Sequence, residues 1–118
     1  MLEWITQDLF PNFIRMNENV IIYFYSQQCG ACRIQKPILE QIASMFGNSI
    51  HIGQVDVMTN SRLAMEYEIM ATPTLMFFKK AKKVRFKFKG NRVDRLLGAQ
   101  DINRLRGVIN YLINMKIN

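Results

Sequence analysis

Cys29 and Cys32 are the only cysteines in the chain, separated by Gly30 and Ala31. Two thiols at this spacing come within bonding reach when they share the first turn of a helix. The sequence puts them in that position. Val20-Ile21-Ile22-Tyr23-Phe24-Tyr25 is an apolar run without alternation, as in a strand buried on both faces. Residues 26–30 break the run, and a helical pattern opens near Cys29. A cysteine at a helix start faces unpaired N–H groups and the positive end of the macrodipole, which favour the thiolate. Cys29 is therefore the expected nucleophile towards a substrate disulfide. Cys32, one turn inward, is expected to be more buried and to resolve the mixed disulfide. Gly30 lets a substrate backbone approach with no side chain in the way. The other chemistry open to a thiol pair is metal binding. Zinc takes about four ligands, and His51 is the only further soft candidate. No metal is expected, and no cofactor beyond the Cys29–Cys32 disulfide.

The elements that must position this pair follow from composition and periodicity. A chain of 118 residues predicts one domain, 1–118. With 49% apolar and 21% charged residues it has ordinary globular composition. Two cysteines exclude a disulfide-dense scaffold. No apolar run approaches the ~20 residues of a spanning helix, so no membrane is expected. The opening Met1-Leu2-Glu3-Trp4-Ile5-Thr6-Gln7-Asp8 has acids where a signal peptide needs basic residues. The expected location is cytoplasmic, where a close cysteine pair is catalytic or metal-binding more often than a static staple.

A first short strand is predicted at 2–5, then a helix to about Met16, with Pro11 in its first turn. The buried strand at 20–25 comes next. The helix after Cys29 shows Ile34, Ile38, Ile42 and Met45 at helical spacing, with Leu39, Ala43 and Phe46 beside them. Pro37 falls inside it, and Gly47 is a stop. A strand over 50–57, a short helix from Asn60 or Ser61 to Tyr67, and a strand over 74–78 follow. Residues 83–89 alternate Val84, Phe86 and Phe88 against Lys83, Arg85, Lys87 and Lys89, the pattern of a strand wetted on one face. Residues 90–98 read as a loop, and Ile102, Leu105, Ile109, Leu112 and Ile113 define a last helix. The order β-α-β-α-β-α-β-β-α predicts an α/β fold: a mixed sheet covered by helices on both faces.

Tyr23-Phe24-Tyr25-Ser26-Gln27-Gln28-Cys29-Gly30-Ala31-Cys32-Arg33, followed by Pro37, resembles the active-site segment of the thioredoxin family. So do Ala71-Thr72-Pro73-Thr74-Leu75-Met76-Phe77-Phe78, Val55-Asp56-Val57 and Gly98-Ala99. The resemblance runs from about Val20 to about Leu112, in the family's order. It implies the thioredoxin fold and dithiol exchange with disulfide-containing protein substrates. It also implies a monomer recharged by a thioredoxin reductase. By resemblance Pro73 is the family's cis-proline beside the cysteines, and Thr72 offers backbone hydrogen bonds to an extended substrate. With Gly30 and Ala31 these residues make the expected substrate groove.

The chain departs from the family at six positions. Ala31 replaces a proline and leaves an N–H free, available to a thiolate. Gln28 replaces a tryptophan, and Glu68 a glycine. Tyr23 replaces a buried aspartate assigned a proton-transfer role, and a tyrosine with pKa near 10 is a poor base at neutral pH. Gln54 stands where the family has a charge. Thr72 is more like the disulfide isomerases. An isomerase- or glutaredoxin-like enzyme with a less reducing pair therefore stays open.

The charge is +7 and lopsided: residues 60–118 hold thirteen of the sixteen basic residues. Lys79, Lys80, Lys82, Lys83, Arg85, Lys87, Lys89, Arg92 and Arg95 share their tract with one acid, Asp94. Outward lysines protect a sheet edge. Nine cations also suit an acidic protein partner, and a binding module on this basic face is the reading from another class. Nucleic acid is not expected, because Phe86 and Phe88 alternate inward and offer no stacking platform. Met70 and Met76 are expected in the core, Trp4 against the N-terminal segment, and His51 without a role.

Overall fold

The computed structural model describes residues 1–116; the last two positions of the expected 1–118 domain lie outside the described residues. The chain orders as β1 (Leu2–Trp4), α1 (Phe10–Met16), β2 (Asn19–Tyr25), α2 (Gly30–Phe46), β3 (His51–Asp56), α3 (Ser61–Glu66), β4 (Thr74–Lys79), β5 (Lys82–Lys83), β6 (Phe86–Phe88), β7 (Asn91–Val93), β8 (Arg95–Leu97) and α4 (Ile102–Asn114). The sheet runs β1-β3-β2-β4-β5, and β8 shares the outer edge of β4 with β5. Strands β1 and β2 flank β3 in parallel; β2 and β4 are antiparallel. No described helix is long and apolar enough to cross a membrane.

β2 is buried on both faces, as its run predicts. Ile21 and Tyr23 face a core closed by α2 and α4, including Leu39, Ile42, Leu105 and Ile109. Val20, Ile22 and Phe24 face the other core, closed by Phe10, Phe13, Ile14 and Leu63 of α1 and α3. A fully buried Phe or Ile of this kind contributes about 1.5–3 kcal/mol. Gly53 on β3 has no room for a side chain: a Cβ there would come within 2.7 Å of Ile5 Cγ1 and 2.9 Å of Phe13 Cε2.

Four expectations are corrected. In α2 the buried face is Cys32, Gln35, Leu39, Ile42 and Ala43, while Ile34 and Met45 lie outside the core. Gln35 takes the inward slot because its amide is consumed by the backbone of Gln100: Nε2 donates to Gln100 O at 3.2 Å, and Oε1 accepts from Gln100 N at 2.6 Å. The expected fifth strand over 83–89 is divided. β5 leaves the sheet after Lys83, and β6 pairs with β7 in a separate hairpin. The alternation survives, since Val84 and Phe86 are buried and Phe86 meets Phe77 edge-on at 5.4 Å. The expected loop over 90–98 holds β7 and β8. Lys89 and Gly90, at φ 51° and 83°, form the two-residue turn that twisted hairpins favour. Lastly, Met70 is exposed, while Met76 is buried.

Glu68, which replaces the family's glycine, has φ 53°. It ends α3 in a left-handed cap: Glu68 N–H donates to Met65 O at 3.1 Å and Ile69 N–H to Ala64 O at 2.8 Å. The Cβ is a steric cost there. Glu68→Gly is expected to stabilise the fold by about 1 kcal/mol, read from the urea midpoint.

In the basic tract, Asp94 lies 2.8 Å from Arg95 Nε and 2.9 Å from Lys83 Nζ. The hydrogen bond from Arg95, aided by Lys83, holds its carboxyl down at about 2. A depressed folded value means the contribution is present above the unfolded pKa and lost as pH falls through the folded one. Between about pH 4 and 2, wild type should therefore lose stability more steeply than Asp94→Asn, measured as urea midpoints across that range.

Candidate active site

Cys29 is the N-cap of α2, and its extended backbone (φ −99°, ψ 112°) ends the approach from β2. Cys29 and Cys32 are joined as a disulfide, with Cα atoms 5.2 Å apart. Cys29 is half-buried, and Cys32 is 4% exposed. The Cys32 N–H donates to Cys29 Sγ at 3.1 Å. In this oxidised state the donor is the N–H of Cys32, one turn in. When the bond is reduced, the same N–H and the start of a 17-residue helix favour charge on Cys29. Gly30 is exposed and Ala31 half-buried. Pro37 lies inside the helix, on the wall of a groove of about 410 Å³ beside the disulfide.

Tyr23 lies under the pair. Its hydroxyl donates to Cys32 O at 3.0 Å, and its ring stacks on Tyr25 at 5.5 Å. Burial, then the neighbouring Tyr25, pushes its pKa up to about 12. The hydroxyl therefore stays protonated and acts as a donor, not a base. Tyr25 is also raised, by burial and then by the charge of Asp56. Gln54 sits opposite Tyr23 in the β2–β3 register and is buried.

The Thr72–Pro73 peptide bond is cis. Thr72 Oγ1 lies 3.3 Å from Ser26 Oγ, three residues before Cys29, so this loop borders the approach to the disulfide. Gly98 N–H donates to Pro73 O at 2.9 Å, and Leu97 pairs with Thr74. Met70, before this loop, and Leu97, at the end of β8, are 90% and 62% exposed and leave apolar surface.

The fold thus brings Cys29, Gly30, Ala31 and Cys32 together on α2, and Thr72 and Pro73 onto the neighbouring loop. It adds residues that sequence reasoning did not assign: Arg33, Lys36 and Glu40 line the groove with Cys32. Trp4, expected to pack the N-terminal segment, instead meets Tyr25 edge-on at 5.9 Å, with Lys36 Nζ 5.4 Å over its ring. No motif marks Trp4; it reaches this place because β1 joins the sheet beside β3. Lys36 and Glu40, at i+4 and i+8 from Cys32, were the readable signal. Among the described residues no group of three or more His, Cys, Asp or Glu is arranged to hold a metal ion.

The thioredoxin family model matches residues 2–101. Over 110 residues the chain is 34% identical to a thioredoxin of Chlamydia pneumoniae, covering 93% of this chain and 97% of that one. Over 91 residues it is 31% identical to the bifunctional thioredoxin reductase/thioredoxin of Mycobacterium leprae (strain TN), covering 77% of this chain and 18% of that protein. A mutant thioredoxin from Halobacterium salinarum NRC-1 shares the fold, with a TM-score of 0.80 at 24% identity over 98% of this chain and 94% of that one. The shared pattern covers both the strand–helix junction that carries the cysteines and the sheet that supports it, and on these grounds the chain belongs to the thioredoxin family, a family of thiol–disulfide oxidoreductases with an active-site cysteine pair.

Proposed function

We propose that this thiol–disulfide oxidoreductase works as a reductant of disulfides in other proteins. The observation that carries the reading is the asymmetry of the pair: Cys29 is half-buried at a helix N-cap, and Cys32 is buried one turn inside. The Cys29 thiolate attacks one sulfur of the substrate disulfide. A Cys29–substrate bond forms, the substrate S–S bond breaks, and the released thiolate takes a proton from water. Cys32 then loses its proton and attacks Cys29 Sγ. The Cys29–Cys32 bond forms, and the second substrate thiolate leaves. Two electrons have passed to the substrate.

Gly30 and Ala31 leave the approach to Cys29 open, and the backbone of Thr72 holds an extended substrate segment in the groove that Pro73 shapes. The Cys32 proton leaves through the groove lined by Lys36 and Glu40, because Tyr23 keeps its own proton to about pH 12. A thioredoxin reductase recharges the pair, in a cytoplasmic setting; the fusion named for the M. leprae relative supports that partnership. The expected resident cofactor is none, the redox group being the disulfide itself.

Ala31 and Thr72 favour a second reading, isomerase-like and less reducing. Equilibration with glutathione buffers separates the two. A potential near about −270 mV, with reductase-dependent reduction of insulin, is the expected result. A value near about −180 mV keeps the exchange chemistry and overturns the direction.

A further inference from the structure

We propose that the cleft between the β6–β7 hairpin and α4 binds an acidic segment of a protein partner. The cleft measures about 510 Å³, within the range of ligand sites. It shares no lining residue with the groove beside the disulfide. It is a second site, and it stands apart from the redox chemistry.

Its charge points to the ligand. Lys87, Lys89 and Arg92 come from the hairpin and Arg104 from α4, and no acid lines the cleft. The two nearby acids are engaged elsewhere. Asp94 pairs with Lys83 and Arg95, and Asp101 accepts from the Arg104 backbone N–H as the cap of α4. Two of the four cations are also held in place. Arg104 Cζ lies 4.7 Å and Lys89 Nζ 5.4 Å from the centre of the Phe88 ring. A guanidinium positioned on a ring loses less freedom when it meets a carboxylate.

The floor is apolar and bare. Arg104, Val108 and Tyr111 fall at i, i+4 and i+7 on one helix face. Gly107 lies between them, and nothing stands within 4 Å of where its Cβ would be. Glycine weakens a helix interior, and here it leaves open space. An apolar floor under a cationic rim suits a segment that alternates acidic and apolar side chains. It suits nucleic acid poorly. Phe88 already carries two cations over its ring, and Phe86 is buried, so neither presents a free face to a base.

The test uses the oxidised full-length protein and three labelled probes. These are a peptide of alternating Glu and Leu, its Gln/Leu counterpart, and an oligothymidylate. Fluorescence anisotropy is expected to show salt-dependent binding of the Glu/Leu peptide and at least about tenfold weaker binding of the Gln/Leu peptide. Gly107→Trp, which fills open space, and the double variant Lys87→Glu/Arg104→Glu should each weaken the Glu/Leu peptide by about tenfold or more. Reduction of a small aromatic disulfide should match wild type in both. Amide shifts on peptide addition should fall on β6, β7 and α4. No binding, wild-type affinity in both variants, shifts confined to the groove beside Cys32, or tighter binding of the oligothymidylate would each overturn the proposal.

Discussion

Cys32→Ser, mixed with a disulfide-bonded protein, is expected to stop at a covalent adduct through Cys29, while turnover falls by about 10³-fold or more. The reason is positional. Cys29 caps α2, where Cys32 N–H meets its sulfur at 3.1 Å, so the variant keeps its nucleophile and the N–H that stabilises it. What it loses is the only thiol one turn away that can attack the mixed disulfide. Cys29→Ser should lose activity equally but form no adduct, because the remaining Cys32 is 4% exposed. Non-reducing gels and intact-mass measurement separate these outcomes. An adduct on Cys32 in the Cys29→Ser protein, or none in Cys32→Ser, reverses the assigned roles. Tyr23→Phe is informative beside them. It removes the hydrogen bond to Cys32 O but no base, so the pH dependence of turnover near neutrality should keep its shape.

Lys79→Ala is expected to destabilise the protein by about 3 kcal/mol. Lys79 is 2% exposed, and its ammonium is fully used. Nζ donates to Leu112 O at 2.8 Å, Ile113 O at 3.0 Å and Asn19 Oδ1 at 3.0 Å, with Glu18 at 3.5 Å. It satisfies carbonyls at the end of α4, where a cation is also favoured by the macrodipole. It ties that end to the start of β2. Truncation leaves those acceptors without this donor, at about 1–3 kcal/mol for each that stays buried, and opens a void. Lys79→Met keeps the stem and loses only the donors, so about 2 kcal/mol is expected. Urea unfolding measures both. A Lys79→Met protein within about 0.5 kcal/mol of wild type would show that water replaces the ammonium, and would sink the argument.

Lys79 also shows where sequence reading failed. It opens the basic tract and carries the same charge as Lys80 and Lys82, so composition assigns it to the surface field. Burial at the end of β4 removes it from that field. What separates it from its neighbours is the strand's inward face and the α4 carbonyls that await it, and both belong to the assembled fold. The tract itself split in the same way. Alternation correctly placed Val84 and Phe86 inside, because facing depends on neighbours two residues apart. It could not show that β6 pairs with β7 instead of β4. That choice rests on a two-residue turn at Lys89–Gly90, whose lysine carries no turn signal of its own.

The sequence by itself determined the order of elements as far as β4 and the final helix, the junction that carries the cysteines, the inequality of Cys29 and Cys32, and the cis-proline loop through its family resemblance. These are local: a buried run, a break, a helix start and a short motif each report on residues close in the chain. Tertiary structure decided what surrounds them. It set Trp4 and Lys36 beside the groove, turned the Tyr23 hydroxyl onto Cys32 O, joined Gln35 to Gln100, and opened a basic cleft at Gly107. Each of these pairs residues from separate elements. Their meeting depends on sheet order and helix rotation, and those are fixed only when the whole core packs.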